Sequence, residues 1–358
     1  MNNAFRQCVT VSLAACIVLA NGDGHWHTAI TKNAGRGRSE CGVAACDGKI
    51  YVIGGGKLAT EAYDPASASW QQKAVPPLNI NHFQPVTYNH NIYVLEAFTE
   101  GEYPKQPNLS QVYIYHPASD SWSAGTGLPG DRQRAAAGAA LHGGKLYLVA
   151  GIKDGHTSGT SALFDEYDPA TGTWTALPDA PHVRDHCAAA VIKDKLYVAG
   201  GRNTSYHEPD NFMAFFGKTV QEVDCYDFNS GHWSSLAAKL PLGSGGGSMV
   251  NFRDRLYYMG GERATATEPN QPRKNVFWLD PVSGSGWVAT DSLAFARNGM
   301  GAAVDGDHIY VCGGAFAGGA RGPGGPPPGT GKQDSTHRPP PPPAGNEPPS
   351  PLEVFSLR

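Results

Sequence analysis

The chain has 358 residues, with 45 glycines, 28 prolines, 17% charged and 40% apolar residues, and a formal net charge of −4. That balance gives no footing for nucleic acid, which selects basic surfaces, and beyond the N-terminus no apolar run is long enough to span a membrane. Abundant glycine with modest charge points to short strands and tight turns rather than helices.

In chain order, the first segment stands apart. Arg6 is the only charge before an apolar run from Cys8 to Ala20, and Val18-Leu19-Ala20 puts short residues at a cleavage position. Residues 1–20 are read as a signal peptide, with a hydrophobic N-terminal strand as the alternative, and the protein is read as secreted and extracellular. Leu13-Ala14-Ala15-Cys16 has the form of a lipoprotein box, but the apolar run continues past it. Beyond the leader remain Cys41, Cys46, Cys187, Cys225 and Cys312, an odd set without C-x-x-C spacing. Buried free thiols are expected rather than a disulfide framework.

Residues 21–358 form one repeating domain. Trp26, Trp70, Trp122, Trp174, Trp233 and Trp287 recur 44–59 residues apart, and Tyr51, Tyr93, Tyr147, Tyr197, Tyr257 and Tyr310 recur out of phase with them. Four of the tyrosines open runs ending in paired glycines, as in Tyr51-Val-Ile-Gly-Gly; the third copy keeps Gly151 alone, and the second has Glu96-Ala97. Each copy reads as four strands. A small-residue strand such as Ala137-Gly138-Ala139-Ala140 is followed by a tight turn such as Gly143-Gly144, then by the tyrosine strand. A third strand ends at Asp64-Pro65, Asp168-Pro169 or Asp280-Pro281, and the fourth carries the tryptophan. Hairpin residues at this spacing make an antiparallel meander.

The first tryptophan has no preceding three strands, and the last copy, from Arg297, has no tryptophan. His25-Trp26-His27 is therefore expected to supply the outer strand of the last copy and close a ring of six. Residues 317–351 interrupt that copy with glycine and then proline, including five prolines at 339–343, and are read as a disordered excursion. Leu352 to Leu357 then completes the third strand.

Paired glycines, the following aromatic and the tryptophan together resemble the kelch repeat, over about residues 25–315 and the last strand. The resemblance implies an all-β, six-bladed kelch-type β-propeller like the central domain of galactose oxidase, with its small-residue strands crowded at the axis. Gly155-His156-Thr-Ser-Gly159 with Phe164-Asp-Glu-Tyr-Asp168, and Arg184-Asp-His186 with Gly200-Gly-Arg202, are similar to segments of secreted kelch proteins from fungi and bacteria.

In such a meander the blade-to-blade connections and the loops after each second strand share one face. All long insertions fall there, at 98–108, 152–160, 202–218, 262–274 and 315–351, and loops held by a rigid scaffold carry function. Thirteen residues before the tyrosine stand Arg38, Arg134, Arg184 and Arg297, with Ile80 and Ser244 in blades two and five; two positions further on stand Glu40, His82 and His186. Arg38, Arg134, Arg184, Arg297, Arg202, His82 and His156 form the candidate ligand-binding set, suited to a polyhydroxy or anionic ligand. Glu96, His186 and Glu262 are the candidate acid–base groups. The competing reading is that the arginines brace the blades, as Asp165 and Glu166 are expected to do.

The expected function is a binding module for a glycan or protein, acting as a monomer. The alternative is a mutarotase- or epimerase-like enzyme acting on an acidic sugar, which the resemblance to sialic acid mutarotases implies. A galactose-oxidase-type copper site needs tyrosines, two histidines and a cysteine beside a tyrosine. Tyr206-His207 is the nearest echo, so neither metal nor cofactor is expected. An intracellular scaffold would bring a helical domain that finds no room. The sequons Asn108-Leu-Ser110 and Asn203-Thr-Ser205 lie on the long-loop face.

Overall fold

The computed structural model describes residues 24–316 and 350–357. The expected signal peptide and residues 317–349 of the expected glycine/proline excursion lie outside the described residues, while Ser350 bonds Gly35 O and Gly313 N.

Six antiparallel sheets form the ring, each with four strands in order, blade five adding the short strand Gln271–Pro272. Blade one runs Cys41–Cys46, Lys49–Gly54, Glu61–Asp64 and Ser69–Gln72, each strand bonded to the next. Blade six takes Arg297–Asp305, His308–Phe316 and Glu353–Leu357 from the end of the chain and its outer strand, Gly24–Thr28, from the beginning. Trp26 pairs with Phe355 there, so the ring closes as expected.

Small residues at the axis are a steric requirement. A Cβ on Gly301 would lie 2.6 Å from Val43 of the next blade, and one on Gly138 would lie 2.8 Å from Ala189. Farther out the wedge between blades widens, and aromatic rings fill it. Tyr115 packs on Trp122 in its own blade at 5.1 Å and on Tyr51 of blade one at 5.7 Å. Trp122, Trp174, Trp233 and Trp287 each donate Nε1–H to a carbonyl of the preceding blade's exit: Ala74, Thr126, Pro178 and Ala238. These four tryptophans are thus staples between blades, while Trp26 and Trp70 fill the wedge without that bond. The five cysteines are buried and unpaired, as expected.

Blade two departs from the pattern. The position of the first repeat glycine keeps a left-handed backbone in the other five blades, at Gly54, Ala150, Gly200, Gly260 and Gly313. Glu96 in blade two does not, and its second strand stops early, spanning only Asn91–Val94.

Candidate functional site

The innermost strands begin on the face that carries the long loops. There the residue two positions after the conserved register of Arg38 is left-handed in every blade: Glu40, His82, Ala136, His186, Gly246 and Gly299. Amides and carbonyls of this ring bond from blade to blade, Glu40 N to Gly299 O, His82 N to Glu40 O, Ala136 N to His82 O, and His186 N to Ala136 O. Left-handed backbone suits glycine, so bulky Glu40, His82 and His186 hold it against a local preference.

His156 joins them from above. The hairpin Ile152–Asp154 with Ser158–Thr160 folds its tip over the ring mouth, on a floor of Phe98, Ala135, Ala136 and Ile152. His82 packs edge to face on His156 and His186, with centroids 4.9 Å and 5.1 Å apart, and His156 and His186 lie tilted at 5.3 Å. Tyr103 covers His156 at 5.0 Å. Burial is the main cause that holds His82 down to about 3 and His156 and His186 well below the ordinary histidine range; the nearby Arg202 adds to it. Burial thus favours the neutral form of all three rings.

Glu40 Oε2 lies 3.4 Å from His82 Nε2. Its side chain stays partly open to the central cavity but is otherwise enclosed by protein, which pushes the carboxyl up to about 7 against the pull of Arg202. The cavity encloses about 70 Å³ between the first strands and is lined by Glu40, His82 and His186 above glycine and alanine. Arg202 is buried, stacked on Phe215 and Phe216 of the loop turn Phe212–Gly217, and bonded to Glu262 Oε1 at 2.6 Å. Glu262 also accepts from Asn270.

Of the residues singled out from the sequence, His82, His156, His186, Arg202 and Glu262 come together here with Glu40. The four register arginines do not. Arg38, Arg134, Arg184 and Arg297 are wholly buried beneath the rim, each paired with an acid on the third strand of its own blade. Arg38 meets Glu61 at 2.6 Å, Arg134 meets Asp165 at 2.8 Å, Arg184 meets Asp224 at 2.7 Å, and Arg297 meets Glu353. Their remaining donors go mostly to carbonyls, such as Gly54 O for Arg38 and Gly200 O for Arg184. Guanidinia buried and paired in this way act as braces within each blade, closed off from a ligand at the surface.

Glu96 is also apart from the cluster. It is buried, and neither carboxylate oxygen has a partner in bonding geometry. Burial pushes it well above the usual range, against Arg134 and the amides of Ala137, Gln84 and Ala136. Tyr206-His207 makes no copper site: Tyr206 bonds Glu208, and both His207 nitrogens bond carbonyls, of Phe212 and Thr157. Of the sequons, Asn108 donates its amide to the carbonyls of Gln133 and Lys153, so the atom a glycan would need is engaged.

Sequence reasoning missed Asp185, Asn81, Gln106 and Tyr103. Asp185 and Asn81 directly precede His186 and His82, which was the available signal. Gln106 and Tyr103 sit in an insertion with no repeat register to place them.

Comparison with known proteins agrees with this architecture. The KLHDC2/KLHL20/DRC7 Kelch-repeats domain matches residues 85–314. Kelch-like protein terF of Aspergillus terreus is 26% identical over 299 residues, covering 79% of this chain and 62% of the relative. Alpha-scruin of Limulus polyphemus is 28% identical over 249 residues, covering 67% of this chain and 25% of the relative. The chain thus spans less than two thirds of the length of these curated relatives. The solved structure of YjhT superposes with a TM-score of 0.68 at 16% identity, covering 80% of this chain and 93% of that one, which is a likeness of fold. Kelch propellers typically serve as protein-binding modules. With six blades, a closed ring and a family match over most of its length, this chain belongs to the kelch-repeat β-propeller family.

Proposed function

We propose that this propeller is a binding module whose ligand, a protein segment or a glycan, docks on the long-loop face over the ring mouth. One observation carries the reading: the apolar surface is one-sided. Among the described residues, Ile30, Val75, Leu78, Val183, Phe212 and Phe295 are exposed large hydrophobics in blade-to-blade connections or in a loop after a second strand. The opposite face has only Leu141 and Val282. Exposed apolar side chains on the face that also carries a polar pocket are the composition of a recognition surface.

Selection of peptides from a display library, beside a panel of neutral and acidic glycans, supplies probes for the test. Val183→Asp and Phe212→Asp are expected to weaken a selected ligand at least about tenfold, as loss of buried apolar contacts does, while Val282→Asp leaves it unchanged. The reverse pattern would put the binding surface on the short-turn face.

A second reading, sugar anomer exchange at the same pocket, is favoured by the carboxyl–imidazole pair Glu40–His82 beside the fixed Arg202 guanidinium. Proton transfer at an anomeric carbon needs an acid, a base and a cationic anchor. Exchange spectroscopy on an acidic sugar is the test: enhancement lost in Glu40→Gln supports it, and no enhancement removes it. The apolar run behind Arg6 supports secretion, with N-terminal sequencing of the mature protein expected to begin at or near Asn21.

A further inference from the structure

Packing alone does not explain the imidazole cluster. His82 Nδ1 bonds Asn81 Oδ1 at 2.6 Å, His156 Nδ1 bonds Gln106 Oε1 at 3.1 Å, and His186 Nδ1 bonds Asp185 Oδ1 at 2.6 Å. An acceptor on every Nδ1 fixes the same tautomer in all three rings and leaves each Nε2 with its lone pair free. One nitrogen of each ring lies within 4.8 Å of those of the other two. His186 Nε2 is buried with no hydrogen-bond partner. His82 Nε2 has only the Glu40 carboxyl beside it, at 3.4 Å, and a buried ring nitrogen left without a partner, as in His186, is an arrangement a protein disfavours unless a cation sits there.

We propose that His82, His156 and His186 bind one divalent transition-metal ion of the zinc–copper class through their Nε2 atoms, with a fourth position open toward the central cavity. Imidazole donors select this class over magnesium or calcium, which take oxygen ligands. Three nitrogens with an open position is the arrangement of a reactive rather than a purely structural centre. The side-chain acceptors behind each ring are the outer shell that such ligands need. Asp185 is itself held by Thr160 and by the Thr204 amide. The local groups are also suitable. Arg202 is paired with Glu262, and the carboxyls of Asp185 and Glu40 lie beside the rings. Glu40, next to His82 and lining the cavity, is placed to join the fourth position or to hold a water there. No spacing in the sequence announces the site, because its three ligands come from three blades.

The untagged full chain, stripped with a chelator and titrated with Co²⁺, tests this. The expected result is one Co²⁺ per chain with a visible d–d absorption band that Zn²⁺ abolishes by displacement. His156→Ala, on the loop hairpin, removes the band while the melting curve stays cooperative. Asp185→Asn keeps the band but weakens binding about 10–100-fold, the usual cost of losing an outer-shell carboxylate, and the exposed His232→Ala changes nothing. A folded wild-type chain that takes up no stoichiometric Co²⁺ would overturn the proposal, as would a band that persists in folded His156→Ala or His186→Ala. If both histidine variants unfold, the decision passes to Asp185→Asn, whose unchanged affinity would count against the site.

Discussion

Arg184 shows how a side chain placed by the repeat can be mistaken for a ligand contact. Its guanidinium is buried against Asp224, which also accepts from His182 at 2.7 Å and Ser235 at 2.8 Å. Arg184→Ala leaves that carboxylate buried without its cation, a loss of about 3–5 kcal/mol by the usual cost of breaking a buried pair. A calorimetric melt is expected to show the drop. A variant that melts like the wild type would mean that the brace does not hold the blade. Glu96 presents the opposite case, a buried acid with no ion pair of its own. Burial raises its folded pKa well above the ordinary 4.5, which favours the protonated carboxyl in the native protein. As pH rises past 4.5 the unfolded chain releases this proton and the folded chain does not, so stability falls until the folded pKa is passed. Glu96→Gln removes that dependence. The variant is expected to melt higher at neutral pH and to match the wild type in acid, and equal melting temperatures at every pH would contradict this.

At the scale of strands, the staples between blades carry a measurable load. Trp174→Phe keeps the ring contact with Tyr167 but loses the 2.9 Å bond to the Thr126 carbonyl. The expected loss is about 1 kcal/mol, read as a lower denaturation midpoint at unchanged m-value. Gly138→Val, which crowds Ala189 across the blade boundary, is expected to cost about 1–3 kcal/mol or more. The strand pattern was legible because tyrosine, glycine and tryptophan recur for steric reasons that every blade shares. The role of the arginines was legible too, through a pattern that went unread. Glu61, Asp165, Asp224 and Glu353 occupy one register of the third strand in the four arginine blades, two residues before its aromatic. Blade two, with Ile80 in place of arginine, has Tyr113 there, and blade five, with Ser244, has Phe277. Acid and arginine thus come and go together, which marks an internal pair. The loops offered no such register. Nothing in the order of residues says that the tip carrying His156 folds back over His82 and His186.

For the molecule as a whole, closure by Gly24–Thr28 decides whether the propeller is a self-contained ring. Deleting these residues uncovers Glu353–Leu357 as a free edge, and unpaired edges recruit other strands. Light scattering is expected to report association or aggregation of the truncated chain, and a stable monomer would show that the ring tolerates an open blade. The closed ring also lets blades two, three and four aim three imidazoles at one point on the long-loop face. Nitrogen-15 NMR of labelled histidines at neutral pH tests that convergence most directly. The account predicts that His82, His156 and His186 are all neutral and all carry their proton on Nδ1, as their bonds to Asn81, Gln106 and Asp185 require. An imidazolium, or a proton on Nε2 in any of the three, would contradict it.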